Sequence, residues 1–219
     1  MKLSKNTLNL LKNYAAINSN LLLKAGNSLA TISGQKSIIA EATVEETFPQ
    51  EFGIYDLNEF LSAYSLFNDP ELVFNDKFVT IKEGSSAIKY YSAAAEVLTV
   101  PSKSINFPAV DVEFEVSAEL LNSILKTASV LRASDVSFIG ADGVLRLVVA
   151  DKKNATANSY DVEVGKTDSD FRVNLKVDNL KFIPGSYTVS ISSKKISRFK
   201  SNTSDLVYFV AVEADSTFA

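Results

Sequence analysis

Two stretches of the chain, LSKNTLNLLKNYAAI at Leu3–Ile17 and VSAELLNSILKTASV at Val116–Val130, carry apolar residues at the spacing of an amphipathic helix. Aligned so that Ser4 falls on Ser117, they also match in kind at several apolar positions. The identical pairs are Ser4/Ser117, Leu8/Leu121, Asn9/Asn122 and Ala15/Ala128. The two stretches therefore predict equivalent helices in two similar halves of the chain.

A second correspondence lies further along each half. YDLNEFL at Tyr55–Leu61 is similar to VDNLKFI at Val177–Ile183, and both are predicted to be short helices. The shared residues are Asp56/Asp178 and Phe60/Phe182. Runs rich in β-branched and aromatic residues surround them and predict strands. The predicted strands are Leu21–Lys24, Ser37–Thr43, Leu72–Phe74, Phe78–Lys82, Ala87–Tyr91, Asp135–Ile139, Val144–Val149, Tyr160–Val164, Gly185–Ser192 and Leu206–Val212.

The segment between the halves, VPSKSINFPA at residues 100–109, contains two prolines and several polar residues and predicts an extended linker. The order helix, strands, short helix, strands occurs on both sides of it. A chain of 219 residues is long enough for two hydrophobic cores. We therefore predict an α+β fold with two similar domains, residues 1–99 and 110–219, joined by a linker at 100–109.

The composition argues against catalysis. The chain has no histidine and no cysteine, so the commonest general base and the usual ligands of zinc, haem and iron–sulfur clusters are missing. Its 8 glycines form no phosphate-binding loop motif. One acidic cluster is a candidate for Mg²⁺, although a solvated surface is the simpler interpretation: Glu41, Glu45, Glu46 and Glu51. We expect no enzyme activity, no cofactor and no metal.

The bulk properties suit a soluble intracellular protein. No run approaches the roughly 18 apolar residues of a membrane span, and the polar N-terminus does not resemble a signal peptide. The lack of cysteine agrees with a cytoplasmic location. The formal net charge of −4 argues against a protein that coats nucleic acid with its whole surface. A net charge of −4 is nevertheless compatible with positive charge gathered on one face of the protein.

The first predicted helix gathers positive charge in this way. Its apolar residues form one arc, and the opposite arc contains lysines, asparagines and no acidic residue. The polar arc consists of Lys2, Lys5, Lys12, Asn6, Asn9, Asn13 and Ala16. Lysine and asparagine donate hydrogen bonds to phosphate oxygens without reading the base sequence. The alternative is that these side chains only solvate a surface helix.

Two other basic features are less distinctive. The second predicted helix carries Lys126 on its outer face, but Glu119 lies on the same face. The cluster KKISRFK at Lys194–Lys200 follows a predicted strand and is predicted to form a loop. A solvated hairpin tip is an equally good interpretation of this cluster, and we assign it no role.

Four segments, in order along the whole chain, are similar to the sliding clamps of T-even-type bacteriophages. They are Met1–Lys5 with Leu10–Asn13, Ile54–Leu61, Phe107-Pro108 and Val210–Thr217. The resemblance implies a DNA-clamp fold in which each domain places two helices on an inner surface and sheets on the outer wall. It also implies that three subunits close head to tail into a ring around duplex DNA, which they contact without sequence preference.

The resemblance further implies partners. The ring binds a short C-terminal peptide of the DNA polymerase, is opened by an ATP-driven clamp loader and hydrolyses nothing itself. It also couples viral replication to late transcription. We accordingly expect the protein in the cytoplasm of an infected bacterial host. The basic side chains expected to face DNA are Lys2, Lys5, Lys12, Lys126, Arg132 and Lys181.

A head-to-tail ring needs an edge strand at each end of the subunit, because unpaired backbone groups on an edge pair with a neighbouring strand. We expect Ala87–Tyr91 and Ser159–Val164 to be these edges. The side chains expected in the subunit interface are Tyr90, Tyr91, Tyr160 and Val162. The alternative for the two adjacent tyrosines is that they serve the core of their own domain.

The linker and the C-terminal strand are expected to form the pocket for the partner peptide. Apolar side chains would form its floor, and an acidic edge would steer a basic flank of the peptide. The pocket residues are Ile105, Phe107, Pro108, Val212, Glu213 and Ala214. The alternative is that Ile105 and Phe107 only hold the linker in place.

Two other classes of protein remain possible from the residues alone. A β-rich virion or scaffold component would assemble without DNA, and its acid-free helix face would be accidental. A carboxylate–Mg²⁺ nuclease would need aspartates and glutamates that converge from separate strand ends.

Overall fold

The computed structural model describes residues 1–154 and 156–218, and the chain divides into two compact units, Met1–Ser104 and Ile105–Ala219. The division falls inside the segment 100–109 that the sequence assigns to a linker. Each unit combines helix with antiparallel sheet, so the α+β class is confirmed. Over the described ranges, no helix has the length and apolar character needed to cross a membrane.

The first unit follows the predicted order of helix, strands, short helix and strands. Its elements are α1 (Lys5–Ile17), β1 (Leu21–Leu23), β2 (Gly26–Ile32), β3 (Ile38–Phe48), β4 (Phe52–Ile54), α2 (Leu57–Ser65), β5 (Glu71–Phe74), β6 (Phe78–Glu83), β7 (Ser86–Tyr91) and a 3-10 helix at Ala95–Val97. β1 pairs with β4 and β2 with β3, whereas β5, β6 and β7 form a sheet in that order.

Helix α1 begins at Lys5 because Ser4 caps it. The backbone of Ser4 is extended, and its hydroxyl accepts a hydrogen bond from the backbone N–H of Thr7 at 3.2 Å. Glu46 of β3 adds to this cap, since its carboxylate accepts hydrogen bonds from the Ser4 N–H and the Thr7 hydroxyl. The buried apolar residues of the helix are Leu10, Leu11, Tyr14 and Ile17.

Glu46 was assigned to a solvated acidic surface, and that assignment is wrong for this residue. Burial by itself would raise the pKa of Glu46, but the hydrogen bonds from Thr7 and Ser4 outweigh burial and hold it below its usual value. A carboxylate also complements the positive end of the α1 dipole. In the part of the chain that the structure describes, no group of acidic residues is arranged to hold a metal ion.

The second unit repeats the helix and the strands but not the short helix. Its elements are β8 (Val112–Val116), α3 (Ala118–Leu131), β9 (Asp135–Ala141), β10 (Val144–Ala150), β11 (Tyr160–Lys166), β12 (Phe171–Lys176), a 3-10 helix at Val177–Asn179, β13 (Tyr187–Ser192), β14 (Ile196–Ser201), β15 (Leu206–Ala211) and β16 (Thr217–Phe218). One sheet has the order β11–β10–β9–β12–β16, and β8, β13, β14 and β15 pair in that order.

The predicted equivalence of α1 and α3 is confirmed at their first residues. Ser117 caps α3 with φ −72° and ψ 161°, close to the φ −68° and ψ 159° of Ser4, and its hydroxyl accepts from the Leu120 N–H. The similarity does not extend to the last turn. Ile17 is 7% exposed, whereas the aligned Val130 is 80% exposed.

The predicted second short helix is reduced to the 3-10 helix Val177–Asn179. In the first unit Asp56 caps α2 by accepting hydrogen bonds from two backbone N–H groups. Asp178 makes no such cap with any described residue, and Pro184 follows closely, so the helix lacks both a start signal and room to extend. The aligned aromatic residues Phe60 and Phe182 are nevertheless both buried.

The cluster Lys194–Lys200 is not a loop. Lys194 and Lys195 lie in a turn, and the chain then enters β14 at Ile196. Within β14, Ser197 and Phe199 are buried, whereas Arg198 is half-buried and Lys200 exposed. This alternation of buried and more exposed residues is typical of a strand that packs one face on a hydrophobic core.

Candidate nucleic-acid interface

The outer face of α1 is basic. Lys5 and Lys12 are exposed and lie about two turns apart, roughly 10 Å along the helix axis. Neither lysine forms an ion pair or a side-chain hydrogen bond with any residue that the structure describes. Asn9 is exposed between them, and α1 contains no acidic residue. Glu45 and Glu46 of β3 lie near the start of the helix, on Asn6 and on the cap, but neither ammonium group is paired with a described carboxylate, so the face can attract phosphate groups.

Lys2 differs from the other two lysines of this face. Its ammonium group contacts the Asp69 carboxylate, and this hydrogen bond raises the pKa of Lys2. Both side chains are exposed. The pair therefore presents little net charge, so Lys2 adds less to the field of the basic face than Lys5 or Lys12.

The second unit places its predicted basic residues at three different points. Lys126 is exposed on α3, which also has Glu119 in its first turn. Arg132 lies just beyond the helix, in a left-handed conformation with φ 53°. Lys181 is exposed after the 3-10 helix Val177–Asn179. The outer side of α3 is thus less uniformly positive than that of α1.

Both strands predicted to be edges lie at the end of their sheets. In its own unit β7 pairs only with β6 and β11 only with β10, as far as the described residues show. Tyr160 and Val162 are half-buried on β11. Each strand therefore has one row of backbone N–H and C=O groups without a partner in its own unit.

The two adjacent tyrosines of β7 face opposite ways. The Tyr90 ring packs edge-on against Phe60, with ring centres 5.3 Å apart, and its hydroxyl donates to the Asp56 carbonyl at 3.0 Å. Burial, aided by the charge of Glu59, raises the pKa of Tyr90 to about 12. Tyr91 is 66% exposed. Tyr90 thus serves its own domain, and Tyr91 presents its ring outward.

The end of the linker packs onto the sheet of the second unit. The Phe107 ring stacks on Phe209 of β15, with centroids 6.2 Å apart, and the Arg198 guanidinium lies over the Phe107 ring, 4.7 Å from its centroid. Ile105 and Pro108 are half-buried. The structure therefore places Phe107 against β15, which fits both the predicted pocket and the alternative that Ile105 and Phe107 only hold the linker in place.

The predicted acidic edge of that pocket is not free. Val212 is buried, but the Glu213 carboxylate lies 3.6 Å from Lys152 Nζ and 4.0 Å from Lys176 Nζ. Lys152 also lies 2.8 Å from the Asp215 carboxylate. Ala214, between the two acids, is exposed. Lys152 and Lys176 offset part of this acidic charge, but both also pair with Asp135, so two lysines face three carboxylates and the edge keeps a net negative charge.

A cavity beside the start of the linker involves none of the predicted pocket residues. It has a volume of about 260 Å³ and lies wholly within the first unit. Its walls come from the β1–β2 region, from Glu41 and from the first linker residues. They are Leu22, Lys24, Ala25, Ser28, Ala30, Glu41 and residues 100–104.

The predicted site residues do not include Arg198. It stands beside Phe107 and Phe209, although the sequence predicts a loop for its cluster because the cluster follows a predicted strand. The alternation of Ser197, Phe199 and Ser201 with Arg198 and Lys200 was the signal that predicts a strand. That pattern would have placed Arg198 on the outer face of the sheet.

Comparisons with known proteins agree with this architecture. The PCNA of A. fulgidus, solved with the C-terminal region of FEN-1 bound, has 13% sequence identity and a TM-score of 0.72, and the match covers 99% of this chain and 100% of that one. The DnaN sliding clamp of Bartonella birtlesii matches with a TM-score of 0.74 at 14% identity, over 97% of this chain and 64% of that one. At such identities the likeness shows the fold alone, which is the fold of the DNA clamps.

Relatives at higher identity define the family. The family model described as "DNA polymerase processivity factor" matches residues 2–100, and the model described as "gp45 sliding clamp, C terminal" matches residues 113–214. The sliding clamp of Vibrio phage KVP40 is 35% identical, with 98% of this chain and 100% of that protein covered. The sliding clamp of Enterobacteria phage T4 is 32% identical over 99% of each. The chain belongs to the bacteriophage sliding clamp family of DNA polymerase processivity factors.

Proposed function

We propose that three copies of this chain close head to tail around duplex DNA and tether the replicative polymerase to it. The observation that carries the proposal is the outer face of α1. In a chain of net charge −4, this face presents Lys5 and Lys12 with no acidic residue on the helix. Contacts between ammonium groups and phosphates hold DNA of any sequence.

The same contacts have to be loose, because a clamp that paired tightly with phosphates would not slide. Lysine side chains are long and flexible, and water-bridged contacts to phosphate exchange readily. The ion pair of Lys2 with Asp69 agrees with this requirement, because it lowers the net positive charge of the face. The other side chains proposed to face DNA are Lys126, Arg132 and Lys181.

The subunits are proposed to meet through β7 of one copy and β11 of the next. Each strand has an open edge in its own unit, and two such edges pair by backbone hydrogen bonds. Because the edges differ, the contact is head to tail and closes a ring when the rotation per subunit fits. Tyr91 is proposed to cover this junction, together with Tyr160 and Val162.

The polymerase is proposed to bind through its C-terminal peptide, beside the linker and β15. The PCNA structure supports the mode, since a protein with the same fold there binds the C-terminal region of FEN-1. A clamp loader is proposed to open the ring, and late viral transcription to use the same clamp as a coactivator. The site of action is then the cytoplasm of the infected bacterium.

The protein is proposed to have no catalytic activity of its own. It lacks histidine and cysteine, and no acidic group in the described ranges is arranged around a metal position. The carboxylate–Mg²⁺ nuclease alternative therefore gains no support from the placement of these residues.

The test is the processivity of the cognate polymerase, with clamp and loader, at physiological salt. Lys5→Glu with Lys12→Glu should reduce processivity by roughly tenfold or more on every template sequence, because the charge reversal repels phosphate. The mutant should still sediment as a trimer.

The matched control is Lys77→Glu with Lys153→Glu, which makes the same charge change at two exposed turn residues. Normal processivity of the α1 double mutant, or an equal loss in the control, would remove the basic face from the proposal.

A further inference from the structure

The sheet of the second unit that contains β9 and β10 ends differently on its two sides. Its order is β11–β10–β9–β12–β16, so β11 presents an open edge on one side. On the other side lies β12, which has 6 residues, but β16 has only 2 and pairs at Phe171–Phe218 and Arg172–Thr217. The residues that precede β16 lie against the middle of β12. We call residues 212–218 the strap.

The strap completes the hydrogen bonding of this β12 edge. The Asn174 carbonyl accepts a hydrogen bond from the Glu213 N–H at 2.9 Å, and the Asn174 N–H donates to Ser216 Oγ at 2.9 Å. Both Asn174 and Ser216 are buried, so water does not replace these bonds. Without the strap, β12 would present a row of unpaired backbone groups of the kind that pairs with a strand of another chain.

Charged contacts fasten the middle of the strap. The Glu213 carboxylate lies 3.6 Å from Lys152 Nζ, and the Asp215 carboxylate lies 2.8 Å from the same ammonium group. Asp215 also accepts a hydrogen bond from the Asn174 side-chain amide at 3.1 Å. The hydrogen bonds from Lys152 and Asn174 hold the pKa of Asp215 below its usual value, so this carboxylate stays ionised at neutral pH.

Lys195 holds the two ends of the strap. Its backbone carbonyl accepts a hydrogen bond from the Val212 N–H at 3.0 Å, and its ammonium group donates to the Ser216 carbonyl and lies 5.7 Å from the centre of the Phe218 ring. The apolar burial of the strap is small, because Val212 is buried but Phe218 is only half-buried and Ala214 is exposed. A segment held mainly by polar contacts near the surface opens at a lower free energy than the core strands.

We propose that the strap decides which edge of this sheet joins a second copy of the chain. Because the strap closes the β12 edge, β11 is the edge that the described strands leave for a neighbouring copy, and the contact stays head to tail. The proposal rests on the proposed function, in which β11 meets β7. With the strap released, the β12 edges of two copies pair with each other, and rings join into larger assemblies. Glu213 and Asp215 are thus positioning residues for assembly.

Hydrogen exchange, measured by mass spectrometry, and sedimentation velocity of the full chain test this proposal. Glu213→Gln with Asp215→Asn removes the charges of the strap and leaves Lys152 and Lys176 paired with Asp135. Exchange in peptides that cover the strap and β12 should become about tenfold faster than in wild type, while β9 keeps its protection. Species larger than those of wild type should appear as the protein concentration rises, and in them β12 should regain its protection while the strap does not.

The matched control is Asp168→Asn with Asp205→Asn, which removes the same charge at two exposed loop residues of the same unit. Unchanged exchange in the strap variant, faster exchange without larger species, or larger species in the control would each overturn the proposal. A failure of the proposed function gives a different result. If wild type forms no trimer while the strap variant still associates with β12 protected, the ring is wrong and the strap keeps its role.

Discussion

Asp135 is almost completely buried, yet it is placed to keep its charge. Lys176 Nζ lies 2.6 Å from its carboxylate and Lys152 Nζ lies 3.7 Å away. Burial by itself would raise the pKa of Asp135, but the hydrogen bonds from Lys176 and Ser134 and the charges of both lysines lower it below the ordinary value of 3.8. Lys152 also holds Asp215, so this cluster fastens the end of the chain to the β9–β12 sheet.

Asp135→Asn should destabilise the protein by about 2 kcal/mol at pH 7, because it removes the buried carboxylate nearest to Lys176 and leaves that lysine only Glu213 at 4.0 Å. The pKa of Asp135 is lower in the folded than in the unfolded chain, so its contribution is complete above about pH 4 and is lost as the pH falls through the folded pKa. Urea unfolding of mutant and wild type at neutral and acidic pH should show the difference shrink below about pH 4. Asp205→Asn, at an exposed position, should show no difference at either pH.

For single residues, the sequence predicts the contacts that depend only on residues close along the chain. The aligned serines Ser4 and Ser117 proved to be helix caps, since a cap needs only a backbone N–H three residues away. Lys2 was taken for a DNA-facing cation, but its partner Asp69 lies 67 residues along the chain. The spacing of residues within a helix does not reveal such a contact.

Among the elements, composition predicts the linker correctly but β14 wrongly. The prolines and polar residues of 100–109 correctly indicated a segment without helix or strand. The basic residues of Lys194–Lys200 hid a strand, because charged side chains on the outer face of a sheet lower the hydrophobicity that strand prediction relies on. The sequence predicts none of the strands β2, β4, β8, β12, β14 and β16.

Changing Ile105 and Phe107 to Ala should weaken binding of the polymerase C-terminal peptide by at least ~1.4 kcal/mol, about tenfold. The reason is loss of the aromatic wall on Phe209, together with the apolar surface that Ile105 adds. Calorimetry on the trimer measures the effect. Val110→Ala, an exposed apolar position just past the linker, is the control and should leave affinity unchanged. Unchanged affinity of the double mutant would move the site elsewhere, with the outer face of the first domain as the next candidate.

For the whole molecule, the central question is how the open edges of β7 and β11 are covered. Tyr91, the last residue of β7, packs its ring against Phe78 of β6 with ring centres 5.7 Å apart, and two-thirds of the residue is exposed. A large exposed aromatic beside an unpaired strand edge is typical of a surface that another subunit covers.

Tyr91→Ala should weaken the trimer, so that it dissociates at micromolar protein concentrations where wild type does not. Sedimentation velocity over a dilution series measures this. Tyr55→Ala is the matched control, because Tyr55 is 62% exposed and Tyr91 66% exposed, but Tyr55 does not lie on β7. A Tyr91→Ala trimer as robust as wild type would reject the interface role of this residue.

The sequence by itself determined the class of fold, the repeated halves and the two capped helices. These features follow from hydrophobic periodicity and local hydrogen bonds. Both involve residues only a few positions apart, so they can be recognised in the sequence. The resemblance over the whole chain determined the family, since four short segments had to occur in the right order. The basic face of α1 was also predicted, because a helix has a known angle per residue.

Only the tertiary structure decided which charges act outside the molecule. Lys2, Glu46 and Glu213 are each occupied by partners that folding brings from distant parts of the chain, whereas Lys5 and Lys12 are paired with no described carboxylate. The physical reason is that an ion pair depends on distance in space and on burial, and neither is contained in residue type or spacing.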